Sequence, residues 1–352
     1  MKKQLPEQEV IFDEVPCQNG LVGLITLNRP KALNVINSKM FKLIFGQLKY
    51  WESLADIKIV IIEGAGNRAF SAGGDIKALY SHLIQQENHD LPFFKDEYDL
   101  NKLIYHYRKP YISLLNGITM GGGAGLSIHG RWRIATEKFI FAMPETAIGF
   151  FPDIAAGHFL VNLPFRIGYY LGLTGNQIKS IDALALGLVD AVIPHEQLPL
   201  FRQDLFDASY SKNADGSIAN IFTKYQTIPK RTELELLPKA PLVERYFDAS
   251  SIEQIISNLK ESKNLWCQEV ATTLLKRCPI SLKVTLKHLL HCEHLSFSSI
   301  IEENYCLSRN FLKHSDLREG IRATIIDKDH NPHWQPSNVH EVSEEMVNHF
   351  FE

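Results

Sequence analysis

Hydrophobic and polar positions change their period several times along this chain. Two β-rich runs, Glu9 to Val15 and Leu21 to Leu27, flank "PCQNG" and predict a hairpin. Met40, Phe41, Ile44, Phe45, Leu48 and Trp51 then recur at helical spacing, which predicts a helix from Ser38 to Leu54 with Asn37 as its cap. "KIVIIEG", ending at Gly64, and "KPYISLLNG" are unbroken apolar runs of strand length, the pattern of buried strands. "GNRAFSAGGDIKALY" and "ITMGGGAGLSIHG" read as Gly-rich loops, each following a buried strand and opening a helix. "RIATEKFIFAMPE" offers two short strands and "GLVDAVIP" one more. Strand, loop and helix alternate through residues 1–200, the signature of an α/β fold.

From about Leu200 the helical period dominates, as in "SIEQIISNLKE" and "ISLKVTLKHLLH". The expected organisation is an α/β core over 1–200, with a helical, polar insertion near 81–108, and a helical C-terminal region over 201–352. That region reads as a helical cap on the α/β core.

Composition narrows the function classes. Of 352 residues, 45% are hydrophobic and 22% charged, ordinary globular values. A formal net charge of -3 supplies no general field for nucleic acid or anionic membrane, so neither is expected as a partner. "MKKQLPEQEV" has no apolar run of a secretory signal and lacks the Arg-rich, Ser-rich character of a transit peptide. No stretch approaches the length of a membrane span. The five cysteines are scattered without CxxC spacing, which suggests free thiols in a reducing compartment. The expected location is therefore cytoplasmic.

A Gly-rich loop between a buried strand and a helix aims free backbone N–H groups at a point beyond the strand. Such a point suits an anion or a developing oxyanion. The plain alternative is a tight turn or close helix packing. "MGGGAG" is not a dinucleotide fingerprint, and neither loop is GxxxxGK[ST]. A second oddity is "FAMPETAIGFFPDIAAG", a mostly apolar stretch with two carboxylates, Glu145 and Asp153, and no basic neighbour. Each could be structural, Asp153 as a cap for a helix starting near Ile154. Each could instead be a chemical group facing a pocket.

"LNRPKALN" (27–34), "AFSAGGDI" (69–76), "NGITMGGGAGLSIHG" (116–130) and "MPETAIGFFPD" (143–153) together resemble the enoyl-CoA hydratase/isomerase, or crotonase, superfamily in order and spacing. Within it the resemblance is strongest to the 3-hydroxyisobutyryl-CoA hydrolases, thioesterases of valine breakdown, helped by "HSDLREGIRATIIDKDHNPHWQP" (314–336). The resemblance implies a crotonase-like spiral of ββα units with a helical C-terminal region. It implies an acyl-CoA substrate, no separate cofactor, no metal, and a possible homo-oligomer.

By the same resemblance, the N–H groups of Gly74 and Gly122 form an oxyanion hole. Lys31, Ala32, Ala72, Asp75 and Ile76 become contact candidates for coenzyme A. Lys31 is otherwise an ordinary solvated lysine. Hydratases of the superfamily generally use two glutamates, and the first position is Gly125 here, so the water-adding pair is broken. The second is retained as Glu145, and Asp153 stands where hydratases usually carry a small residue, the hydrolase pattern. Glu145 and Asp153 are thus the implied catalytic pair, and Glu97 the implied contact to the acyl hydroxyl. Read without the resemblance, Glu97 is one acid on a charged, solvated helix face. Hydrolases of this branch often have two glycines after the aspartate, whereas this chain has Ala155 and Ala156.

Two other constellations have weaker support. "KHLLHCEH" gathers His288, His291, Cys292 and His294, but a zinc site needs further ligands, so a surface helix with incidental histidines is expected. Ser71 and Ser127 lack a GxSxG elbow. Besides thioester hydrolysis, double-bond isomerisation or hydration through the same oxyanion hole and a non-catalytic CoA-ester-binding protein remain open.

Overall fold

A computed structural model describes residues 8–85, 92–210, 213–228 and 230–352. Among the described residues ten strands run in chain order: β1 (Val10–Cys17), β2 (Gly20–Leu27), β3 (Ile57–Gly64), β4 (Ala69–Ser71), β5 (Tyr111–Leu115), β6 (Ile118–Met120), β7 (Trp132–Thr136), β8 (Ile140–Ala142), β9 (Ile178–Lys179) and β10 (Ala191–Ile193). The helices that matter below are α1 (Ser38–Ser53), α2 (Ile76–Gln85), α3 (Pro92–Tyr105), α4 (Gly122–Ser127), α5 (Ala156–Leu160), α6 (Pro279–Cys292) and α7 (Phe297–Phe311). The architecture is mixed α/β with a helix-rich C-terminal region.

The chain forms two units that interleave in sequence. Unit one takes the chain up to Gly74, then Asp99–Phe141 and Lys179–Glu233; unit two takes Asp75–Tyr98, Ala142–Ile178 and Leu234–Glu352. The change of pattern near Leu200 therefore falls inside unit one. Of the expected insertion near 81–108, α2 begins before residue 81 and α3 covers Pro92–Tyr105, while residues 86–91 lie outside the described residues.

In unit one a six-stranded sheet has the order β1-β2-β3-β5-β7-β10. β1 and β2 form the predicted hairpin, antiparallel from Val10↔Leu27 to Cys17↔Gly20, and the later pairings are parallel. Parallel strands are covered by other layers and so read as near-continuous apolar runs. Ile59, Ile61, Ile112, Leu114, Ile134 and Ile193 pack with Phe201, Leu205, Ile218 and Ile221 from the helices Leu198–Phe206 and Ala214–Thr223. Helix α1 is capped by Asn37, whose side chain accepts from the Met40 N–H at 2.9 Å, and it buries Met40, Phe41, Ile44, Leu48 and Trp51. What the sequence presents as one Gly-rich loop after each buried strand contains a short strand in each case. β4 and β6 pair in parallel and carry the two glycine segments side by side.

Unit two is helical. The helix Ile167–Thr174, buried along its whole length, lies among α5, α6 and the helices Ala240–Phe247 and Leu265–Leu275. Helix α6 buries Ile280, Leu282, Val284, Leu286, Leu289 and His288.

Candidate active site

Unit one holds both glycines and three of the contact candidates. The "NRPKALN" segment and Ile36 just beyond it are bound to the first glycine loop by Ile36 N–H donating to Gly73 O (2.9 Å), Ala72 N–H to Leu33 O (2.9 Å) and Ser71 Oγ to Asn34 O (2.8 Å). The buried Asn34 ties it further: Oδ1 accepts from Arg29 N–H at 3.0 Å, and Nδ2 donates to Ala65 O and Ala69 O. Lys31 and Ala32, exposed on a short turn of helix, lie close in sequence to Leu33 and Ile36, which anchor Ala72 and Gly73.

The second glycine loop packs against the first. A Cβ on Gly73 would stand 3.0 Å from Met120 O and 3.3 Å from Gly122 N, and Gly73 itself has φ +101, a value that L side chains rarely adopt. Gly123 is equally confined, since a Cβ there would come within 2.5 Å of Ser71 O. The glycines thus permit a backbone-on-backbone approach that no larger residue allows. Gly122 is the first residue of α4, where the helix leaves N–H groups without an intrahelical acceptor. Among the described residues, the backbone bonds that pin these loops leave out the N–H groups of Gly74 and Gly122. Gly125, in the same helix, is buried.

Unit two holds the acids. Glu145 opens a short helical turn, Glu145–Ile148, anchored by Thr146 Oγ1 donating to Leu173 O and by Cys278 N–H donating to Thr146 O. Asp153 follows Pro152 at the entrance to α5. Glu97 lies on α3, and it is buried at 3% exposure, which corrects the solvated helix face expected from its charged surroundings. Glu145 and Asp153 are buried too, at 7% and 5%. Phe94, Phe150, Phe151 and Phe311 pack ring against ring in the same unit, with centroids 5.4 Å apart for Phe94–Phe150, Phe150–Phe311 and Phe151–Phe311.

Burial and mutual charge act on the three carboxyls in one direction. Glu97 is raised well above the usual carboxylate range by burial, and further by the negative charges of Asp153 and Glu145. Glu145 is raised well above that range by burial and then by Asp153, against a backbone hydrogen bond. Asp153 is pushed up by burial to about 7, while hydrogen bonds from Tyr98 and the backbone favour its anion. One Glu145 oxygen, Oε2, is buried with no partner among the described residues. Desolvated, partly unpartnered carboxyls of this kind suit acid–base work near neutrality.

The side chain of Asp153 does not cap a helix. Helix α5 starts at Ala156 with no side-chain cap, Ala156 N–H donates to the backbone carbonyl of Asp153 (2.7 Å), and the carboxylate instead accepts from Tyr98 Oη at 2.7 Å. Tyr98 is buried, and its hydroxyl pKa is raised well above the ordinary value by burial and then by the charges of Asp153 and Glu97, so it stays a donor. Ser308 completes the line by bonding to the Tyr98 oxygen. Beyond Asp153 the backbone enters the left-handed region twice, at Ile154 (φ 53) and Ala155 (φ 54). For residues with a Cβ this costs roughly 1–2 kcal/mol each.

Asp75 and Ile76, the remaining contact candidates, sit at the start of α2 in unit two, with Asp75 Oδ1 accepting from Ala78 N–H. The expected surface helix with incidental histidines is corrected: His288 is fully buried and bonded to Glu303 and Asn304. The five cysteines are free thiols. Among the described residues no group of three His, Cys, Asp or Glu side chains could hold a metal ion, and no helix is long and apolar enough to cross a membrane.

Residues 22–351 match the family described as enoyl-CoA hydratase/isomerase. The chain is 40% identical over 351 residues to a mitochondrial 3-hydroxyisobutyryl-CoA hydrolase of Danio rerio, covering 97% of this chain and 89% of that protein. It is 38% identical over 347 residues to the mitochondrial 3-hydroxyisobutyryl-CoA hydrolase of Homo sapiens, covering 98% and 88%. Among solved structures it is similar to a carnitinyl-CoA dehydratase of Mycobacterium thermoresistibile, with a TM-score of 0.89 and 31% identity over 98% of this chain and 97% of that one. The mitochondrial designation of these hydrolases overturns the cytoplasmic location expected from composition and cysteine usage. Family, fold and the order of the motifs agree: the chain belongs to the enoyl-CoA hydratase/isomerase family.

Proposed function

We propose that this protein hydrolyses 3-hydroxyisobutyryl-CoA to the free 3-hydroxy acid and coenzyme A, a step of valine catabolism. The observation that carries this reading is the trio of buried carboxyls, Glu97, Glu145 and Asp153, in a family whose water-adding glutamate is replaced here by Gly125. Near-full-length identity to hydrolases of that name supports it.

In this reading the N–H groups of Gly74 and Gly122 receive the thioester oxygen as it gains charge. Either Glu145 attacks the acyl carbon and water then opens the resulting anhydride at the Glu145 carboxyl carbon, restoring the carboxylate, or Glu145 deprotonates a water that attacks the acyl carbon itself. The carbon–sulfur bond breaks, and the thiolate takes up the proton removed from water, with Asp153 handling that transfer. Water is consumed and no electrons change hands. Glu97 binds the acyl hydroxyl. Lys31, Ala32, Ala72, Asp75 and Ile76 line the path of coenzyme A, with Lys31 meeting a phosphate as a point charge.

The test is thiol release from 3-hydroxyisobutyryl-CoA beside hydration of crotonyl-CoA. Release with negligible hydration is expected. Hydration without release overturns the hydrolase reading, and coenzyme A binding with neither activity makes the chain a binding protein. A single turnover in heavy-oxygen water separates the two routes, because direct attack by Glu145 first delivers an unlabelled enzyme oxygen to the acid.

A further inference from the structure

Helix α7 places Asn304 and Ser308 one turn apart, both fully enclosed and on the same face. Ser308 bonds to Tyr98, which bonds to the Asp153 carboxylate. Asn304 reaches the same segment from its backbone side: Oδ1 accepts from Ala155 N–H at 2.7 Å. A peptide N–H can only donate, so the Asn304 oxygen faces Ala155 and its NH₂ faces His288 Nε2, at 2.9 Å. That ring nitrogen must then offer its lone pair. The ring proton lies on Nδ1, where it is donated to Glu303 Oε1 at 2.6 Å, and His291 Nδ1 holds the second Glu303 oxygen at 2.9 Å. Every donor in the chain from Glu303 to Ala155 has an acceptor, so the orientation of Asn304 is fixed.

Asn304 ends this chain at the strained residue. Ala155 is in the left-handed region without being glycine, directly after Ile154, which is left-handed too. We propose that Asn304, oriented by His288 and Glu303, is a positioning residue for the hydrolysis: it holds the Ile154–Ala155 backbone in the left-handed turn and so aims Asp153, whose carboxylate Tyr98 and Ser308 fix from the other side. This rests on the assignment of Asp153 to the chemistry. No part of it requires Asn304 to touch substrate.

The test compares kcat and KM for 3-hydroxyisobutyryl-CoA in the full chain. Asn304→Ala lowers kcat by about tenfold or more while KM stays within about twofold, the signature of lost geometry rather than lost binding. Adding Ala155→Gly to Asn304→Ala, which lets the backbone adopt a positive φ without a Cβ, recovers about threefold or more of the lost kcat. A general loss of packing would show no such rescue. Where Asn304→Ala does not fold, His288→Gln and His288→Leu carry the test. Glutamine still offers an acceptor to Asn304 and keeps most of the turnover; leucine does not and loses it.

Asp153→Asn is run beside them. If it is inactive while Asn304→Ala keeps wild-type kcat, or while the glycine rescue fails and the two His288 variants behave alike, the positioning role is overturned and Asp153 stands. If Asp153→Asn turns over as wild type does, the assignment of Asp153 fails first and the positioning role falls with it.

Discussion

Tyr98 Oη donates to Asp153 Oδ2 at 2.7 Å across 55 residues of sequence, from a hydroxyl that bonds to Ser308 as well. This bond opposes the burial that raises the Asp153 carboxyl, because it favours the anion. Tyr98→Phe removes the donor and leaves the burial. The carboxyl should then rise beyond about 7, and the acidic limb of the kcat/KM profile should move up by about one pH unit. The measurement is thiol release against pH for both proteins. An unmoved limb would mean that Asp153 does not set it.

The wild-type profile has its own expected form. With Asp153 pushed up to about 7, kcat/KM, which reports groups in the free enzyme, should climb as pH rises through that value. Glu145→Gln and Asp153→Asn should each lower turnover by about a hundredfold or more, in line with the loss of a proton-transfer group. Wild-type turnover in either variant refutes its assignment.

How much of this was legible beforehand depends on the range of the interaction. Helix α1 with its Asn37 cap, the hairpin and strands β3 and β5 rest on local period and local capping, and the structure has them within a residue or two of expectation. Glu145 and Asp153 stand out as charges in apolar sequence. Their partners do not, since Tyr98 and Ser308 lie 210 residues apart and no local pattern links them. Asp153 illustrates the difference: its neighbours suggest a helix cap, and a tyrosine from another segment takes the carboxylate instead. The polar letters around His288 suggest a surface helix, whereas the apolar residues on all sides of α6 mark a helix enclosed in unit two. Read from its acidic neighbours on α3 alone, Glu97 belongs to a solvated face, yet it is buried.

Gly73→Ala tests the contact between the glycine loops. The new Cβ would press on Met120 O at 3.0 Å and Gly122 N at 3.3 Å, both backbone atoms, from a φ of +101 that alanine adopts only under strain. The protein should lose about 1–3 kcal/mol of stability. If Gly122 N–H takes part in oxyanion binding, kcat should also fall by about tenfold or more, the scale of one disturbed donor. Urea unfolding and steady-state kinetics read the two effects separately. A destabilised variant with full kcat would detach Gly122 from the reaction.

Asp153→Asn should stabilise the protein as it inactivates it. The folded carboxyl sits at about 7 against an ordinary 3.8, so the folded chain holds its proton more tightly than the unfolded chain does. The stabilisation this gives is complete below 3.8 and is lost as pH rises through about 7, where the folded state must bury an anion. Glu97 and Glu145 are raised by burial as well and slope the same way. Asparagine keeps an oxygen for Tyr98 and has no charge to bury. At about pH 8 the variant should therefore melt above wild type, by an amount on the order of a few kcal/mol at most, and its advantage should shrink at about pH 5. Thermal melts at both pH values decide it. An advantage that is equal at the two, or larger in acid, would show that the Asp153 carboxyl is not raised in the folded state.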